Sequence, residues 1–116
     1  MADVSTPEGR ETLIKEIEAR FGGQLDVLVN NVGTNIRKPT VEFTEEDYDF
    51  IMRTNLQSMF ELTKLCYPYL KRPADKPWDK AFSHDHPHVT SSVVNIGSVA
   101  GVTCIKSGTI YAMTSE

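Results

Sequence analysis

Two short runs of branched apolar residues constrain this chain more than anything else in it. Leu25-Asp26-Val27-Leu28-Val29 and Ser92-Val93-Val94-Asn95-Ile96 carry apolar residues at successive positions instead of alternating them with polar ones. That pattern predicts strands buried between two layers of helices, as in a parallel sheet. Ahead of the first run, Leu13, Ile14, Ile17 and Phe21 recur at helical spacing. Ser5-Thr6-Pro7-Glu8 opens that helix with a capping hydroxyl, a proline suited to the first turn and a glutamate able to complete a capping box. Gly22-Gly23 closes it. Between the runs, Thr44 with Glu45, Glu46 and Asp47 starts a second helix, its acids at the positive end of the dipole. Tyr48, Ile51, Met52, Leu56, Met59, Phe60, Leu62, Leu65 and Cys66 form its apolar stripe, and Pro68 kinks or frames its far end. Gly97 and Gly101 bracket a turn, and a third helix begins near Ile110. Helix, strand, helix, strand, helix is an alternating α/β order with right-handed crossovers.

Length allows one domain, residues 1–116 of a 116-residue chain. A formal charge of -4 and a pI near 5.3 disfavour nucleic acid or an anionic membrane surface as a partner. No apolar run approaches a membrane span, and the N-terminus shows neither a basic region nor an apolar stretch, so a cytoplasmic location is expected. Cys66 and Cys104 form no CxxC and read as a reduced pair. Residues 71–91 are proline-rich and charged, which predicts a surface loop insertion with Trp78 pinning it. Within it, His84-Asp85-His86-Pro87-His88 has imidazoles at metal-ready spacing but no paired cysteine or acid cluster, so no metal site is expected. Arg37 and Lys38 could meet a phosphate, yet they read as solvated loop charges.

Three constellations carry possible chemistry. Asn55 stands on the apolar stripe, one turn from Ile51 and Met59. It is either an amide bonded to neighbouring backbone or a polar group aimed at a site beyond the strand ends. Asn30-Asn31-Val32-Gly33 follows the first strand, where ligands of open parallel sheets bind, and its glycine allows close backbone approach to a flat ligand. A plain strand-to-helix turn is the competing reading. Ser98 follows the second strand, and Tyr111 opens the third helix. A phenol ordinarily holds its proton until about pH 10, and a lysine one turn away would favour its release. That position is Ser115. On its own, Tyr111 reads first as a packing residue.

Together these residues resemble the short-chain dehydrogenase/reductase family. Its pattern is Asn-Asn-Ala-Gly after the fourth strand, an asparagine in the next helix, a serine after the fifth strand and Tyr-x-x-x-Lys. Here they stand in order as Asn30-Asn31-Val32-Gly33, Asn55, Ser98 and Tyr111, with thirteen residues from Ser98 to Tyr111. Gly33 to Glu42, Ser98 to Gly101 and Gly108 to Tyr111 are similar to the tropinone reductase-like branch. The resemblance implies a partial Rossmann fold, a doubly wound parallel sheet lacking the first and the C-terminal strands. It implies hydride transfer between NADP(H) and a small carbonyl or alcohol substrate. By the same resemblance, Asp3 and Val4 would flank the adenine, and Asn30, Asn31, Val32 and Gly33 would line the ribose and nicotinamide side. Asn55 would hold a water in a proton relay, Ser98 would bind the substrate oxygen, and Tyr111 would move the proton.

Two departures shape the expectation for this chain. No GxxxGxG or GxGxxG spacing occurs in it, and the lysine slot holds Ser115. An inactive chain is therefore expected, of marginal stability, with a bare apolar edge on the first strand. The alternative is a non-catalytic fragment or interaction module, forming a homo-oligomer or pairing with an intact relative.

Overall fold

The computed structural model describes residues 1–71 and 91–115. The insertion, with Trp78 and the His84 to His88 segment, lies outside the described residues apart from its two ends.

Helix α1 covers Pro7–Phe21 and strand β1 covers Val27–Asn30. A short 3₁₀ turn, Thr40–Glu42, precedes α2, Glu45–Ile51. The helix continues through a π turn, Met52–Gln57, into α3, Ser58–Leu70. Strand β2 is Ser92–Asn95, a second 3₁₀ turn is Val99–Gly101, and α4 is Thr109–Met113. The two strands pair in parallel, with Val27 opposite Ser92 and Asn30 opposite Asn95. The α/β order and both strands are those predicted.

The N-terminus of α1 differs in one detail from the predicted cap. Asp3 Oδ1 takes both the N–H and the hydroxyl of Ser5, so Ser5 is occupied. Thr6 caps instead, its Oγ1 accepting from Gly9 N–H at 3.1 Å. The third helical position is then Gly9, which has no side chain to complete a box, and Glu8 falls one residue short. Gly9 is also sterically required, because a Cβ there would lie 1.8 Å from the Asp3 carbonyl oxygen. Gly22 ends the helix at φ 61°, in the left-handed region that suits glycine. At α2 the predicted cap holds fully: Thr44 Oγ1 accepts from Asp47 N–H, and the Asp47 carboxylate accepts from Thr44 N–H.

Ile17 of α1, Leu28 of β1 and Cys66 of α3 make one buried cluster, with Leu13, Ile14, Leu25, Tyr69 and Leu70 packed around it. The Tyr69 hydroxyl donates to Glu18 at 2.6 Å and Tyr69 O accepts from Leu25 N–H, which ties α3 to α1 and to the start of β1. Phe21, at the end of α1, is 60% exposed and is not part of this core.

Among the described residues the sheet is not sandwiched as the sequence pattern predicted. Both α1 and α3 pack on the face that carries Leu28. On the other face Val27 and Val29 are 53% and 54% exposed, and all of β2 is exposed. The free edge of β1 has no strand partner among the described residues. No described helix is long and apolar enough to cross a membrane.

The long apolar stripe is also divided. Ile51, Leu62 and Cys66 are buried, whereas Tyr48, Leu56 and Phe60 are exposed. Ile51, Asn55, Ser58, Leu62 and Cys66 follow one another at steps of four, three, four and four, so the buried face runs unbroken through the π turn and is narrower than the apolar stripe. Pro68 sits inside the end of α3, which runs on to Leu70.

Candidate functional site

At the carboxyl ends of the two strands the chain encloses a cleft of about 350 Å³. Asn30 to Asn35 form one wall, Asn55, Ser58, Met59 and Leu62 a second, and Ile96, Gly97, Tyr111, Thr114 and Ser115 the third. The size is at the small end for ligand sites, enough for half of a dinucleotide rather than the whole.

Asn30 works for the sheet. Its Nδ2 donates to Asn95 Oδ1 at 2.8 Å and to Thr63 Oγ1 at 3.1 Å, so it staples β1 to β2 and both to α3. The following residues leave the sheet, and Asn31, Val32 and Gly33 are exposed on the cleft. A Cβ on Gly33 would meet Asn55 only at ordinary contact distance, 3.8 Å. Nothing among the described residues therefore demands a glycine there, and the space it leaves suits a flat ligand.

Asn55 lies within the π turn and is 9% exposed. Its Oδ1 accepts from Thr34 N–H at 2.8 Å and its Nδ2 donates to Thr34 O at 2.9 Å. The second Nδ2 hydrogen goes to Thr114 Oγ1 at 2.9 Å. Both amide hydrogens are thus used by protein, and only a lone pair on Oδ1 is left for a water. Of the two readings the sequence offered, the backbone-bonded one describes these contacts, yet the bonds span three cleft walls. A π turn in a helix is a frequent mark of functional sites, and Asn55 lies within one that borders the cleft.

Tyr111 is partly buried and lines the cleft. Ser98 does not line it. Ser98 caps the second 3₁₀ turn, its Oγ accepting from Ala100 N–H at 3.2 Å, while its own N–H donates to Ser115 O. Ser115 is buried and its hydroxyl donates to the Tyr111 carbonyl at 2.7 Å, so no cation accompanies the phenol from that position. Gly97 makes this approach possible: a Cβ there would stand 2.9 Å from Ser115 O. Asp3 and Val4 are not in the cleft lining either. Val4 is buried, its carbonyl accepting from Arg10 at 2.8 Å, and Asp3 serves the start of α1, with the Ser5 bonds holding its carboxyl below the usual range.

The charges nearby are partly spoken for. Lys38 pairs with Asp47 and stands 5.3 Å over the Phe43 ring, so it is not the solvated charge the sequence suggested. The lysine and the Thr44 amide hold the Asp47 carboxyl below its usual range. Arg37 is exposed and lines the cleft. Cys66 is buried, which pushes its thiol up, and Cys104 is exposed; both are free. Sequence reasoning missed Thr34 and Thr114. Their only signal was position, one residue after the Asn-Asn-Val-Gly turn and three after the tyrosine.

A nicotinamide cofactor can be tested against this lining. Exposed backbone at Asn31 to Gly33 and the cleft volume suit a planar head, whereas the unpartnered Oδ1 of Asn35 is buried against Gly108 and is not offered to it. The phosphate half has no counterpart, because no glycine-rich phosphate loop occurs in the sequence.

Comparison with known proteins places the fold and the family. The family model for short chain dehydrogenase matches residues 1–114. A tropinone reductase homolog of Arabidopsis thaliana is 42% identical over 114 residues, which is 98% of this chain and 38% of that protein. Senescence-associated protein 13 of the same plant is 40% identical over 114 residues and is covered to 37%. A short chain dehydrogenase from Burkholderia cenocepacia, solved in complex with NADP, superposes with a TM-score of 0.75 at 20% identity. The match covers 99% of this chain and 40% of that one. The chain therefore spans well under half the length of the proteins it matches, and it carries the central part of a Rossmann fold.

Proposed function

Because this chain belongs to the short-chain dehydrogenase family and resembles its tropinone reductase-like branch, we propose that its cleft is the nicotinamide end of an NADP(H)-dependent oxidoreductase site acting on a small carbonyl or alcohol. The observation that carries this reading is the Asn55 clamp, which draws the Asn30 to Thr34 turn and the Tyr111 helix around one cavity. Backbone at Asn31 to Gly33 would hold the nicotinamide ribose side, and the cofactor when bound would supply or accept the hydride. Tyr111 is the group able to hold and release a proton at the substrate oxygen. Ser98 would take the substrate oxygen once its hydroxyl turns from Ala100 toward the cleft. Asp3 and Val4 would meet the adenine end, outside the cleft.

Ser115 weakens the chemistry. A hydroxyl that donates to a backbone carbonyl offers the phenol no positive charge, whereas acid–base work by a phenol is helped by a cation one turn away. Turnover by this chain is accordingly slow or absent.

Titration with NADPH, read by nicotinamide fluorescence and by amide shifts, tests the reading. Weak saturable binding with shifts confined to Asn31–Thr34, Asn55 and Tyr111 is expected; absence of shifts there would overturn it. A second reading, a non-catalytic module that pairs with another protein, is favoured by the bare valine face of the sheet. Micromolar NADPH binding with reduction of a small ketone would sink that alternative.

A further inference from the structure

Thr114 stands between two groups of the proposed site. Its hydroxyl donates to the Tyr111 carbonyl at 2.9 Å and accepts from Asn55 Nδ2 at 2.9 Å. The two bonds fix each other: with the hydroxyl proton on the carbonyl, a lone pair must face the amide. Asn55 is in turn fastened to both polar groups of Thr34. An unbroken path of hydrogen bonds therefore joins the turn after β1 to the backbone of the tyrosine.

Beyond its packing on α2 and the second 3₁₀ turn, helix α4 has few directed bonds to hold it in register among the described residues. It is five residues long, with Ile110 its buried apolar residue. Helices this short do not persist on their own. Its other ties are an exposed bond between the hydroxyls of Thr40 and Thr109 and the long Ser98 N–H bond to Ser115 O at 3.3 Å. The exposed pair competes with water, whereas the Asn55–Thr114 bond is partly buried and has less access to that competitor.

We infer that Thr114 is a positioning residue, which through Asn55 sets where the Tyr111 ring stands relative to the Asn31–Gly33 turn. The significance of Tyr111 rests on the proposed function; the geometry does not.

NMR on the full chain separates the two. In the unmodified protein, a cross-peak is expected between the Asn55 side-chain amide protons and the Thr114 methyl. Thr114→Val keeps the shape and removes the hydroxyl, so the Thr34 amide resonance and the Tyr111 ring resonances should both move. Thr114→Ser should return both to their original positions. Thr109→Val, which breaks the exposed tie, should leave the Thr34 amide in place. The inference is overturned if Thr114→Val leaves Thr34 and Tyr111 unmoved, or if Thr109→Val moves them as far. Should Thr114→Val fail to fold, absence of the Asn55–Thr114 cross-peak in the unmodified chain overturns it equally. If these signals behave as expected while NADPH binds nowhere near Tyr111, the functional reading falls and the positioning role stands.

Discussion

Helices α3 and α4 are held to the rest of the protein in different ways. α3 is fastened by burial: Leu62 and Cys66 are 6% and 0% exposed, and Cys66 packs with Ile17 and Leu28. α4 is fastened by directed bonds from Asn55, Thr40 and Ser98, with Ile110 alone buried. Burial is strong and tolerant of direction; hydrogen bonds are individually weak and specify geometry. The protein thus stores stability in the first region and geometry in the second, and substitutions in the two should fail differently.

The largest effect is expected from the apolar side. Leu28→Ala should cost about 2–5 kcal/mol, a large share of what a core this small supplies. Urea unfolding followed by circular dichroism should show loss of the cooperative transition. If Leu28→Ala unfolds at the same urea concentration as the parent, the contrast with α4 is wrong. The parent itself, with one sheet face bare, should melt below about 55 °C, the middle of the ordinary mesophile range.

Next comes the junction of the two regions. Gly97→Ala places a Cβ against the Ser115 carbonyl, so the end of α4 must shift. Overpacking of this kind costs roughly 1–3 kcal/mol. Its signature should be displaced Tyr111 and Ser115 resonances with the Ile17 and Leu28 methyl signals unchanged. Disturbance spread evenly over both sets would erase the distinction between the regions.

Asn55→Leu should cost about as much stability and disturb the geometry more widely. It leaves Thr34 N–H and O and the Thr114 hydroxyl without their partner, a loss of about 1–3 kcal/mol. The expected result is a modest fall in urea midpoint alongside broadened resonances across the cleft; retention of sharp cleft signals would count against the clamp.

The smallest effect lies at the α2 cap and depends on pH. Hydrogen bonds from Lys38 and Thr44 lower the Asp47 carboxyl in the folded state. Stability from this group is therefore complete above the unfolded carboxyl value of about 3.9 and is lost as pH falls through the lower folded value. Asp47→Asn should flatten the acid limb of a circular-dichroism titration without moving the neutral baseline. An acid limb identical to that of the parent would assign the acid sensitivity to other carboxylates.

Much of this was legible in the sequence where the rule is local. Thr44 and Asp47 cap a helix through atoms three residues apart, and Gly22 ends one because a left-handed φ suits it. The runs at Leu25 and Ser92 form strands because branched apolar residues fit an extended chain. What failed lay beyond those rules. Glu8 missed its box because Ser5 was taken by Asp3 two residues before it, and Val27 and Val29 stayed exposed because α1 and α3 pack on the Leu28 face. Of the site residues, the Asn30–Gly33 turn, Asn55 and Tyr111 meet at the cleft, while Ser98, Asp3 and Val4 do not line it.

By itself the sequence determined the order of elements, their caps and the family to which the chain belongs, since these depend on neighbours in the chain and on motif spacing. The tertiary structure alone decided that Val27 and Val29 stay half-exposed. It alone decided that Gly97 must admit the Ser115 carbonyl, and that the Asn55 amide spends its hydrogens on Thr34 and Thr114. Those outcomes depend on where atoms from remote segments meet, and a hydrogen bond or a steric contact exists only once the backbone has brought them within a few ångströms.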